Sequence, residues 1–125
     1  TGIRMANVDS GLDENHPALV NRMRSCTGTT CGGTASSHGT HTAGIMAGDG
    51  GSNVRDAAGF LRGLGVAPAA ELVEQRYSPF FQQAGGMLLL MRESAANGAY
   101  LSGNSWGPSA TPRGYDANTR QVDVG

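Results

Sequence analysis

Two residues in this 125-residue chain have the type and setting for hydrolytic chemistry. Asp9 closes the apolar run Ile3 to Val8 and is followed by Ser10-Gly11. It reads as a carboxylate at the C-terminal end of a strand, where open α/β sheets place functional groups. His38 lies in Ser37-His38-Gly39-Thr40-His41-Thr42-Ala43-Gly44, which reads as the opening of a helix. A carboxylate that orients an imidazole is two thirds of the machinery that activates a hydroxyl nucleophile. Each residue also has a plainer reading. Aspartate in Asp-Ser-Gly often caps its own turn, and a histidine at a helix start can be a capping or solvated residue. A metal reading would take His38 and His41 with Asp9 or His16 as ligands. Gly103-Asn104-Ser105-Trp106-Gly107 fits the G-x-S-x-G string of a nucleophile elbow, with Ser105 as nucleophile. That elbow needs a helix after its serine and the order serine, acid, histidine. Here Gly107-Pro108-Ser109 continues as loop, and Asp9 and His38 come first.

The elements that must hold these residues follow from the pattern. Ile3 to Val8 and Ala70 to Tyr77 suit buried strands, and Tyr100 to Asn104 a third. Ser37 to Ala47 reads as a helix capped by Ser37, with an apolar stripe of Thr42, Ile45 and Met46. Gly39 removes bulk beside His38, and Gly44 is expected to let the helix pack closely. Gly86 to Asn97 reads as a second helix, apolar nearly all round in its first half and therefore buried, ended by Asn97-Gly98. His16-Pro17-Ala18-Leu19 reads as a turn entering a helical turn. Ser25 to Ser37 and Gly48 to Gly59 read as polar loops, and Phe60 to Pro68 as a return toward the core. Strands alternating with helices predict a parallel α/β sheet.

Composition narrows the field. The net charge of −1 gives no support to a nucleic-acid or anionic-membrane partner. No apolar run approaches the ~20 residues that span a bilayer; the longest is Met87 to Met91. Thr1 to Val8 is too short, and lacks the cleavage pattern, to read as a signal peptide. All 9 basic residues are arginine, which excludes lysine chemistry such as a Schiff base or a Ser-Lys dyad. Cys26 and Cys31 flank a short loop that is open to two readings, a disulfide in an oxidising compartment or a pair of free thiols.

Ala6-Asn7-Val8-Asp9-Ser10-Gly11-Leu12-Asp13 and Ser37 to Gly44 together resemble the Asp and His boxes of the subtilisin-like serine proteases. Gly65-Val66-Ala67-Pro68 and Asn104-Ser105-Trp106-Gly107 resemble two further segments of that family, so the likeness runs from about Ile3 to Gly107. The resemblance implies an incomplete, three-layer α/β fold with a parallel sheet, residues 1–125 forming the N-terminal portion of the peptidase domain. It implies a serine endopeptidase with Asp9 holding the imidazole and His38 as general base, in the order Asp, His, Ser. The family's Gly-Thr-Ser-Met-Ala type nucleophile box and Ala-Gly-Asn oxyanion box are absent from this sequence. The chain by itself is therefore expected to be inactive, to need the remainder of the catalytic domain as partner, and to self-associate through surface left uncovered. Ser105, Trp106 and Gly107 are implied as a substrate-binding edge for a peptide or protein substrate. Phe80 and Phe81 are its opposing rim or, equally, core. His41 and the His16 turn are implied as structural. No cofactor is required for the chemistry. Structural calcium is common in the family, but a usual ligand position is Ala18 here, and Asp49, Asn53 and Asp56 form the acidic loop left to consider. The implied location is extracellular or in the cell envelope. A peptide-binding module without chemistry and a histidine-based metal hydrolase remain as alternatives.

Overall fold

The computed structural model describes residues 2–109 and 114–125. Its elements are β1 (Arg4–Asp9), α1 (Ser37–Ala47), β2 (Glu71–Arg76), α2 (Gly86–Ala96), β3 (Leu101–Gly103) and α3 (Ala117–Val124), with a 3₁₀ turn at Phe80–Gln82. The three strands are parallel in the order β2-β1-β3. Register pairs Asp9 with Arg76 and Asn7 with Gly103, so β1 is central and its C-terminal end is flanked on both sides.

Alternation along β1 divides the core. Met5 packs with Leu12, Leu19, Ala43, Ala47 and Leu72 on the α1 side. Ala6 and Val8 pack with Val73, Phe80 and Leu90 on the α2 side. Strand period two then puts Asn7 and Asp9 on the face that carries Met5, toward α1. The molecule is an α/β structure of three layers, with helices on both faces of a parallel sheet.

The sequence pattern needs correction at α1. The cap is Ser36, whose backbone is extended and whose hydroxyl accepts the Gly39 amide, rather than Ser37. The buried stripe is Gly39, Ala43 and Ala47, not Thr42, Ile45 and Met46; Ile45 is 53% exposed. The reason is proximity. A Cβ on Gly39 would overlap the Gly11 carbonyl, so only small residues fit on the facing side. Gly44 does not serve close packing, because a Cβ there meets nothing within 4 Å. Close approach falls to Gly65, whose Cβ position lies 2.5 Å from the Gly44 carbonyl oxygen. The return segment docks by backbone: the amides of Gly65, Val66 and Ala67 donate to the carbonyls of Gly48, Ile45 and Met46. Phe60 and Leu64 stay exposed. On α2, Leu90 is buried, while Met87, Leu88 and Leu89 are half-buried. The sequence reading missed α3, which is polar on most sides; its signal is Asp116, which caps it by accepting the Asn118 and Thr119 amides.

The Cys26–Cys31 pair is a disulfide. Its loop is fastened to α2 by Glu93, whose carboxylate accepts the amides of Thr29 and Thr30 and the Thr30 hydroxyl. Asn97 completes the clamp, accepting the Thr27 amide at 2.7 Å and donating to the Thr27 carbonyl. Burial pushes the Glu93 carboxyl up, but these bonds outweigh it and hold it below its ordinary 4.5. A lowered carboxyl contributes stability that is present above its unfolded value and lost as pH falls through the folded one. Glu93→Ala is therefore expected to cost about 3 kcal/mol near neutral pH. Glu93→Gln should cost less and flatten the loss of stability below about pH 4.5. Chemical denaturation at several pH values checks both.

Candidate active site

Asp9 is 1% exposed and is still held ionised. Burial pushes its carboxyl up, but the bonds from His38 and from the Ser10 amide and hydroxyl, with the charge of His38, bring it below its ordinary 3.8. Oδ1 accepts the Ser10 amide at 2.7 Å and the Ser10 hydroxyl at 3.0 Å. Oδ2 takes a long contact of 3.4 Å from the Thr42 hydroxyl. The structure brings His38 to this carboxylate, with Nδ1 at 2.9 Å from Oδ1. An ionised Asp9 can only accept, so the bridging proton sits on Nδ1, and in the neutral ring the lone pair is on Nε2. The imidazole side chain is 58% exposed against 2% for Asp9, so the ring's free side faces outward while its anchor is dry.

Local sequence fixes this geometry. Parallel pairing continues to the strand's end, where the Tyr77 amide donates to the Asp9 carbonyl. Asn7, an amide in an otherwise apolar run, donates to the Gly39 carbonyl at 3.1 Å and accepts from the Thr42 hydroxyl at 3.1 Å. It ties α1 to β1 over the turn that follows His38. Beyond the Ser10-Gly11 turn, the Leu12 amide donates to the buried Glu74 carboxylate at 2.7 Å. Burial, with Glu14 close by, pushes the Glu74 carboxyl up.

On the other flank, Trp106 donates its indole N–H to the Val8 carbonyl at 2.9 Å. It stacks on Tyr77 at 4.7 Å, with Phe81 edge-on at 5.6 Å. The cluster props the end of β1 from the face opposite His38. Phe81, Trp106 and Gly107 also line a cleft of about 1210 Å³, together with Gln83, Met87 and residues of α3. Ser105 is exposed and lies outside that lining, and residues 106–109 directly after it are not helical. Phe80 is in the core, with the Arg76 guanidinium over its ring.

Residues 1–124 match the model of the subtilase family, Peptidase_S8. The chain belongs to the subtilase family. A subtilisin of Bacillus sp. (strain TA39) is 38% identical over 80 residues, covering 57% of this chain and 17% of that protein. The serine protease of Aeromonas sobria, solved in complex with a chaperone, superposes with a TM-score of 0.67 at 26% identity, over 99% of this chain and 22% of that one. Sphericase superposes with a TM-score of 0.61 at 30% identity, over 98% of this chain and 42% of that one. This subtilase chain thus spans less than half the length of each.

Several side chains around the site escaped sequence reasoning: Asn7, Ser10, Ser36 and Thr42. Asn7 could have been found as the one amide in the apolar strand; the hydroxyls carry no such signal. The metal reading fares differently. His16 Nδ1 accepts the Ala18 amide at 3.2 Å, while His38 is turned to Asp9. Asp49 accepts the Gly51 amide and faces Arg22; Asp56 accepts the Ala58 and Phe60 amides. Among the described residues of this subtilase, no three His, Cys, Asp or Glu side chains are grouped to hold a metal ion. No helix among them is long and apolar enough to cross a membrane.

Proposed function

We propose that this chain supplies the acid and the general base of a serine endopeptidase. The observation that carries the reading is the 2.9 Å bond from His38 to a buried, ionised Asp9 in a member of the subtilase family. In this reading residues 1–125 are the N-terminal portion of a peptidase domain, and the remainder of that domain is the first partner. It brings the serine and the oxyanion asparagine. His38 Nε2 takes the serine proton as the hydroxyl attacks a peptide carbonyl, and later returns it to the leaving amine. Asp9 fixes the imidazole and stabilises the imidazolium. No cofactor is needed for these proton transfers. The backbone of an extended peptide or protein substrate pairs beside Ser105, Trp106 and Gly107, with Phe81 at the rim of the adjoining cleft. The Cys26–Cys31 disulfide fits an extracellular or cell-envelope location, where such bonds persist.

The chain alone should not turn over peptides, because the nucleophile and one oxyanion donor are missing from its sequence. A fluorophosphonate probe, read by mass spectrometry, tests this. The chain should stay unlabelled. The complete domain should be labelled at its serine, and His38→Ala should abolish that labelling. Labelling of the chain at Ser105 would replace this assignment with an internal nucleophile. Peptide binding by a complete domain that is never labelled would favour a binding module.

The chain should also self-associate. Among the described residues β3 pairs only with β1, so its outer edge offers free N–H and C=O groups. Leu101, Tyr100 and Val124 lie exposed near that edge and on α3. Light scattering at ~100 μM should report species above the monomer mass. A monomer with a single cooperative melt would overturn the expectation.

A further inference from the structure

We propose that Ser36 is a positioning residue for Asp9, acting through Ser10. This rests on the reading of Asp9 and His38 as a working pair. Ser36 caps the helix that carries His38, and its hydroxyl also lies 2.6 Å from the Ser10 hydroxyl and 3.0 Å from the Gly11 carbonyl. Ser10 in turn lies 3.0 Å from Asp9 Oδ1. Two hydroxyl protons thus face three demands: the Gly11 carbonyl, the bond between the two serines, and the Asp9 carboxylate. If Ser36 donates to Gly11, Ser10 must donate to Ser36, and Asp9 loses its hydroxyl donor. If Ser36 donates to Ser10, the Ser10 proton is directed at Asp9.

Ionisation decides between these arrangements. A hydrogen bond to a carboxylate is roughly twice as strong as one to a neutral carbonyl. A hydroxyl that is itself receiving a proton donates more strongly. Both protons therefore point toward Asp9 while it is charged, in the sequence Ser36 to Ser10 to Asp9. The Gly39 amide donates to the Ser36 oxygen at 3.0 Å, so the helix start and the carboxylate are held by one side chain. The charged groups around Asp9 are His38, bonded to it, and Arg76, its partner in register, whose guanidinium lies over Phe80. Beyond the turn are Asp13, which accepts the Asn15 amide, and Glu74 with Glu14. His41 stands one turn further along α1.

Capping and relay separate experimentally, because glycine is nearly as good a cap as serine but has no hydroxyl. Ser36→Ala, Ser36→Gly and Ser36→Thr are titrated in the complete catalytic domain by NMR, following the Asp9 carboxyl carbon and the His38 ring. Ser36→Ala and Ser36→Gly should raise the proton affinity of Asp9 about three- to tenfold, and Ser36→Thr should leave it in place. Ser36→Gly titrating like the parent would reduce Ser36 to a cap and overturn the proposal. Asp9→Asn separates the two layers of the argument. The acid inflection of the His38 signals should vanish in that variant; without such an inflection in the parent, the Asp9–His38 pair itself fails. An inflection that is present and unmoved in both Ser36→Ala and Ser36→Gly leaves the pair standing and removes the relay.

Discussion

Asp9→Asn in the complete catalytic domain is expected to lower kcat/KM about 10⁴-fold with little loss of stability. The geometry gives the reason. Asp9 Oδ1 accepts from His38 Nδ1 and from the Ser10 amide and hydroxyl. An asparagine oxygen can keep the Ser10 bonds, so the turn survives. That same oxygen can still accept from Nδ1, and the amide nitrogen falls at the Oδ2 position beside the Thr42 hydroxyl. What is lost is the negative charge that stabilises the imidazolium, so His38 takes the serine proton far less readily; an amide turned the other way would lose the Ser10 bonds and reverse the tautomer as well. Steady-state kinetics on a peptide substrate, with a thermal melt alongside, distinguishes this from a structural role. Activity within tenfold of the parent would make Asp9 a turn cap. A collapse of the melting temperature would make it chiefly a fold residue.

The second large effect is Gly39→Ala. The new Cβ would overlap the Gly11 carbonyl, a backbone atom that cannot rotate away. Either α1 lifts from the turn after β1 or the turn itself shifts. Both break the Asn7 bond to the Gly39 carbonyl and pull His38 from Asp9. The expected cost is about 3–5 kcal/mol of a total stability of roughly 5–15 kcal/mol. The surviving folded fraction should lose the His38–Asp9 bond. Gly44→Ala is the matched control on the same helix. Its Cβ meets open space, so replacing glycine by alanine should stabilise α1 by up to about 1 kcal/mol. Denaturant unfolding of the two variants should move in opposite directions. Equal destabilisation by both would show that helix propensity and close approach have been weighed wrongly here.

Much of this arrangement is legible in the order of residues. The run ending at Asp9 has to be a strand because it is apolar and followed by a Gly turn, and Ser37 to Ala47 has to be a helix. Period two along β1 then assigns Asp9 to the same face as Met5. Such signals are local, since each depends on backbone preference and on which side of an element can be wet. The parallel α/β class follows from the alternation of elements, and the Cys26–Cys31 bridge was one of two readings open from spacing.

Other features depend on contacts between segments far apart in the chain. Which serine caps α1 was decided by the meeting of Ser36 with Ser10 and Gly11, 26 and 25 residues away. The buried face of α1 was decided by how near the Gly11 carbonyl lies, so an apolar residue such as Ile45 was left in solvent. Phe80 went to the core and Phe81 to the cleft because the 3₁₀ turn at Phe80–Gln82 aims neighbouring side chains apart. The amphipathic pattern of a sequence states how much surface each element must bury. Only tertiary structure settles which atoms it is buried against, and so which hydroxyls, amides and rings stand around Asp9 and His38.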